Sequence, residues 1–116
     1  MIRLKRVYDP PESGDGIRVL VERLWPKGLT TEKAQVTLWL KEIAPSPELF
    51  RWFGHDKTRW QGFRERYREE LLQHAEQVEF LRKKIDGRPA TFVFAARDEE
   101  HNSAVVLKEI VEKDSR

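Results

Sequence analysis

The sequence predicts an α/β protein: a small single domain with a mostly parallel sheet of about four strands packed by helices, three-layer or Rossmann-like. Three observations predict it. Thr91 to Ala96 shows no polar alternation, and it breaks into a charged loop before an apolar helical pattern resumes. A strand apolar on both faces is normally central and covered on both sides. Residues 56–85 place apolar side chains at three- and four-residue steps, the period of a helix packed on one face. Short stretches nearer the N-terminus alternate with a period of two instead. The 116 residues fit one domain, 1–116, able to bury a single core without disulfides or metal.

In chain order, Ile2 to Tyr8 puts Ile2, Leu4 and Tyr8 on one side and Arg3, Lys5 and Asp9 on the other. That is a one-sided strand near an edge, with Arg6 the exception on its apolar side. Residues 9–16 hold two prolines and two glycines and read as a loop, with Asp15-Gly16 a turn. Ile17 to Trp25 predicts a second strand whose apolar face, Ile17, Val19 and Val21, continues into Arg23. A charge entering an apolar face needs a partner, so Arg23 is either a structural ion pair or an anion contact at a pocket. Pro26 and Gly28 end that strand. Thr30 to Ala34 suits a helical turn with a hydroxyl cap, and Val36 to Leu40 a short third strand, although Trp39 to Ile43 fits a helix equally.

Ser46-Pro47-Glu48 starts a helix: the serine caps free N–H groups, the proline has no N–H to lose, and the glutamate suits the positive end of the dipole. The helix runs to Phe53 and stops at Gly54. Asp56 then caps a long helix reaching Ile85, with His74 on its apolar stripe as a core histidine. Asp86-Gly87-Arg88-Pro89 ends it, the Thr91–Ala96 strand follows, and Asp98 caps a final helix whose buried side is Ala104, Leu107, Ile110 and Val111.

Composition excludes several classes. With 39% apolar and 36% charged residues the chain suits a small protein with a large solvated surface. It contains no cysteine, which removes disulfides, thiolate zinc sites and cysteine nucleophiles, and fits a reducing cytoplasm. The N-terminus carries no apolar run resembling a signal peptide, and no stretch approaches the roughly 18 apolar residues of a membrane span. A cytoplasmic location without membrane contact is expected. The 22 basic residues nearly match 20 acidic ones, for a net charge of +2, so nucleic-acid binding is allowed but not favoured.

Four motifs occur in order: Leu24-Trp25-Pro26-Lys27-Gly28, Trp39-Leu40-Lys41-Glu42-Ile43-Ala44-Pro45-Ser46, Trp52-Phe53-Gly54-His55, and Ala95-Ala96-Arg97-Asp98-Glu99-Glu100-His101-Asn102. Together they resemble the YeaO-like family of small bacterial proteins, short members of the uncharacterised domain-of-unknown-function 488 group. The resemblance spans essentially the whole chain. It implies a compact cytoplasmic α/β domain with no established activity. Longer members of the group carry cysteine in the strand-loop-helix region, and that chemistry does not transfer to a chain without one.

With a right-handed crossover, the Thr91–Ala96 strand ends at the carboxyl edge of the sheet, where open α/β sheets bind ligands. Arg97, Asp98, His101 and Asn102 gather there, joined by Arg23 and Trp25 if their strand runs parallel. Arginines beside helix N–H groups suit a phosphate or carboxylate, so a small anionic or nucleotide-like ligand is the expected partner. Glu99 and Glu100 count against an anion unless they point outward. Asp98 and His101 are the candidate catalytic residues, as an acid/base pair or a carboxylate orienting an imidazole. A cap and a packing histidine explain them equally. Asn102 suits recognition of an amide or carbonyl, or capping.

His55 follows a helix-stopping glycine and is a further candidate for the ligand site. No metal is expected, since His55, His74 and His101 form no close pair. No Gly-x-Ser-x-Gly elbow, phosphate loop or dinucleotide fingerprint is present, so no cofactor is expected. Trp25, Trp39, Trp52 and Trp60 raise base stacking, but core filling explains tryptophans in so small a chain, Trp25 being the best candidate for partial exposure. Catalysis is left open. The alternative is a nucleic-acid or protein-interaction module whose polar cluster is structural, and the oligomeric state is not legible.

Overall fold

The computed structural model describes residues 2–113, with strands β1 (Ile2–Arg6), β2 (Ile17–Leu20), β3 (Leu38–Trp39) and β4 (Ala90–Phe94). They form one sheet in the order β1-β4-β2-β3, and every neighbouring pair is parallel. The two-sided apolar strand is thus central, and all five residues of β4 are buried. The helices are α1 (Thr31–Ala34), α2 (Pro47–Phe53), α3 (Trp60–Gln73), α4 (Ala75–Ile85) and α5 (Ser103–Lys113).

Alternation along β4 divides the interior. Phe92 and Phe94 join Val19 and Val21 in the larger core, packed with Phe53, Phe63, Tyr67, Leu81 and Leu107 from α2 to α5. Val93 and Leu20 belong to a smaller core with Val7 and Ala34, closed by Trp25, Leu29 and Trp39. Each fully buried phenylalanine contributes about 1.5–3 kcal/mol through the surface it removes from water.

Local signals place the helices. Ser46 Oγ accepts the Leu49 N–H at 3.1 Å, and Gly54 closes α2 in the left-handed region at φ 53°. Thr30 Oγ1 accepts the Lys33 N–H and caps α1. Asp56 caps a single 3₁₀ turn, Lys57–Arg59, that feeds α3.

The structure corrects four expectations. The helix drawn from Asp56 to Ile85 is two helices, broken at His74, whose φ of −113° and ψ of 36° leave the helical region. The half-buried His74 therefore sits at a joint rather than in the core. The first strand ends at Arg6: Val7 is buried in the smaller core, and Tyr8, 39% exposed, leaves the apolar side. The second strand ends at Leu20 instead of Trp25. The bond from Val21 N to Val93 O is already 3.4 Å, and the chain then turns outward, leaving Leu24 80% exposed. The third strand shrinks to two residues, followed by a 3₁₀ turn at Lys41–Ile43.

The shortened second strand also moves its buried charge. Arg23 is exposed, whereas Arg18 is 3% exposed and pairs with Asp15, itself 2% exposed, at 2.7 Å. The turn read at Asp15-Gly16 thus carries a buried ion pair, supported by Lys5 from β1 and by the Glu12 N–H.

Candidate functional site

The carboxyl ends of β2 and β4 lie side by side, because these strands pair in parallel from Ile17 and Ala90 onward. Just past β2, Glu22 Oε2 accepts the Ala95 N–H at 3.2 Å. Burial pushes the Glu22 carboxyl up, and the Ala95 hydrogen bond offsets only part of this. From β1, Arg6 braces the same turn: Nε donates to Ala96 O at 3.0 Å and Nη2 to Ala95 O at 3.2 Å. This arginine on the apolar side of β1 is spent on backbone carbonyls that β4 leaves unpaired.

The loop after β4 is held by Asp98. Its Oδ1 accepts the N–H groups of Glu100 and His101, and its Oδ2 lies 2.9 Å from His101 Nδ1. These bonds, the Glu100 N–H foremost, hold the Asp98 carboxyl below the usual carboxylate range. Asp98 does not cap the final helix, because α5 starts only at Ser103. Asn102 takes that place: its Oδ1 accepts the Val105 N–H at 3.2 Å, and its Nδ2 donates to Asp98 O at 2.9 Å.

Between α2, α3 and this loop lies a cavity of about 160 Å³. Phe50, Phe53 and Phe63 give it an aromatic wall, and Glu22, His55, His101, Asn102 and Ser103 its polar groups. His55, at φ 58° after the left-handed Gly54, sets its ring edge-on to Phe50 at 5.7 Å. The His101 ring meets Trp60 edge-on at 5.2 Å and 89°.

Of the residues singled out in the sequence, His55, His101 and Asn102 line this cavity, and Asp98 bonds to His101. Arg23, Arg97 and Trp25 do not line it. Arg23 donates to Ala44 O and Pro45 O, both at 3.3 Å; Arg97 is exposed. Trp25 donates to Leu29 O at 2.6 Å and packs edge-on against Trp39 in the smaller core. Glu22 and Arg6 are the residues that sequence reasoning missed. Drawing the strand on to Trp25 hid Glu22, which is the first acidic side chain beyond the true end of β2.

Among the described residues, no group of three His, Cys, Asp or Glu side chains could hold a metal ion. Nor is any helix among them long and apolar enough to cross a membrane.

Fold and cavity define a small parallel α/β domain with an aromatic-walled pocket at the carboxyl edge of its sheet. The whole chain, residues 1–116, matches the DUF488-N3i family, described as an inactive DUF488-N3 subclade, and it belongs to that YeaO-like family. It is 41% identical over 106 residues to the uncharacterized protein YeaO of Escherichia coli (strain K12), covering 91% of this chain and 92% of that one. It is 39% identical over 111 residues to the uncharacterized proteins Mb3100c of Mycobacterium bovis and Rv3073c of Mycobacterium tuberculosis, covering 95% of this chain and 92% of each relative. No solved structure matches it.

Proposed function

We propose that this chain is a ligand-binding domain without catalysis, whose pocket takes a small planar molecule about one ring in size. The observation that carries this is the convergence of Glu22, His55 and His101 on one aromatic-walled cavity of about 160 Å³. A cavity of about 150 Å³ accommodates a benzene-sized molecule. A nucleotide-like ligand would place its base there. An anionic group has no such support, because Arg23 and Arg97 lie outside the cavity and Glu22 lies within it.

Two further points favour binding over turnover. Asp98 and Asn102 already spend their polar atoms on the loop and on the cap of α5. The subclade is described as inactive, and the chain has no cysteine to act as a nucleophile. The test is an amide-detected NMR titration with adenine, nicotinamide, indole and inorganic phosphate. Saturable shifts at His55, Ala95 and His101 are expected with at least one ring compound, recovered unchanged afterwards. A response to phosphate alone, to no ring compound, or accompanied by conversion of the ligand would overturn the reading.

A further inference from the structure

We infer that Glu22 makes this pocket selective for planar ligands bearing adjacent N–H donors, of the amidine or guanidine type. The inference rests on the pocket proposed above and names the chemistry that the pocket would recognise.

The Glu22 carboxylate is half-buried at the cavity, two residues past the end of β2. Its Oε2 takes the Ala95 N–H, which ties the side chain to the end of the central strand and fixes its direction. Among the described residues, Glu22 forms no ion pair with a lysine or arginine, and Oε1 has no hydrogen-bond partner. A carboxylate in apolar surroundings is costly unless it is paired. Burial pushes this carboxyl up, and a bound cation donating to the free Oε1 would favour its ionised form.

The surroundings restrict that partner. Phe50, Phe53 and Phe63 favour a flat ring, and the negative faces of aromatic rings favour positive charge. Glu22 is the one carboxylate among the residues that line the cavity, and they include no lysine or arginine. An anion would thus meet a carboxylate and no lining guanidinium, whereas an amidinium matches both the charge and the fork of a carboxylate. Charge-assisted two-point contacts of this kind are among the stronger hydrogen bonds.

The experiment compares three one-ring probes of about the same size and different charge: benzamidine, benzyl alcohol and benzoate. Each is titrated by NMR into the full chain and into Glu22→Gln, whose amide oxygen can still accept the Ala95 N–H. The wild-type chain should bind benzamidine about tenfold more tightly than benzyl alcohol, and benzoate most weakly. Glu22→Gln should lose that preference and keep its affinity for benzyl alcohol, which also shows that its pocket is formed. Equal binding of benzamidine and benzyl alcohol by the wild type would overturn the role of Glu22 and leave the pocket standing. Tightest binding of benzoate would overturn it by reversing the charge preference. Binding of none of the three would remove both the selectivity and the pocket reading. Should Glu22→Gln not fold, the order of the three probes on the wild type decides the matter.

Discussion

Asp98 fixes His101 at two points: Oδ1 accepts its backbone N–H at 3.0 Å, and Oδ2 lies 2.9 Å from Nδ1. Main chain and ring are thereby held by one carboxylate three residues earlier, and the imidazole at the cavity owes its place to a closed local turn. The bonds are made to the ionised form, so the Asp98 carboxyl lies below its ordinary range, through the Glu100 N–H first and then His101. A depressed carboxyl contributes fully above its unfolded value, and that contribution is lost as pH falls through the folded one. The amide resonances of Glu100 and His101 should therefore titrate together, with a midpoint below about 3.9, the ordinary aspartate value. Separate midpoints, or a shared one above that value, would show that this turn does not hold the ring.

Arg6 supports the same loop from the neighbouring strand, by a fork onto Ala95 O and Ala96 O. A lysine keeps the charge and most of the stem but cannot present two fixed N–H groups. Arg6→Lys should fold, with a loss of about 1 kcal/mol for one hydrogen bond. Its amide shifts should change at Ala95, Ala96 and His101, and benzamidine affinity should fall about threefold. An unchanged spectrum at those three positions would relegate Arg6 to surface solvation.

Much of this arrangement is legible in the residues, and the failures share a physical cause. Thr91 to Ala96 reads as central because both its faces must be buried, and Ser46 and Gly54 read as helix ends because their side-chain chemistry acts locally. Periodicity alone cannot see the break at His74. Leu71 and Val78, both buried, lie seven residues apart across it and keep the stripe in phase. The end of β2 is equally silent, since Val21 still fits the apolar alternation while its bond to Val93 is stretching. That one error put Arg23 where a pocket charge was expected and concealed Glu22. Asp98 and Asn102 are both good cap residues, and only the length of the loop, which tertiary packing decides, assigns the cap of α5 to Asn102.

Asp15 links three strands. Its carboxylate takes Lys5 of β1 and Arg18 of β2, and its carbonyl takes the Thr91 hydroxyl of β4. Burial alone would raise this carboxyl, but the Glu12 N–H, Lys5 and Arg18 together hold it below the ordinary range. Its stabilisation is therefore complete above about pH 4 and is lost as pH falls through the lower folded value. Asp15→Ala leaves the Arg18 guanidinium buried without its partner and should cost about 3–5 kcal/mol. Replacing both, with Asp15→Ala and Arg18→Met, should cost less than the single change and flatten the acid limb of the melting-temperature curve. A double variant less stable than Asp15→Ala would mean that Arg18 is held mainly by Ala34 O, to which its Nε donates at 3.0 Å.

Gly16 allows Asp15 to reach its partners while the chain turns into β2. Its φ is 64°, a region that strains any side chain, and a Cβ placed there would lie 2.1 Å from Pro89 O. That carbonyl cannot retreat easily, because it accepts the Ile17 N–H at 3.0 Å and sits one residue before β4. Gly16→Ala must therefore add a backbone clash to the strain and push apart the starts of β2 and β4. Gly87 is the comparison: its φ of 79° is also positive, but a Cβ there meets nothing within 4 Å. Gly87→Ala should cost about 1 kcal/mol and Gly16→Ala about 3 kcal/mol or more. At about 4 °C per kcal/mol for a domain of this size, the two melting temperatures should differ by about 8 °C. Equal losses would show that the clash with Pro89 relaxes and that β2 and β4 do not depend on this close approach.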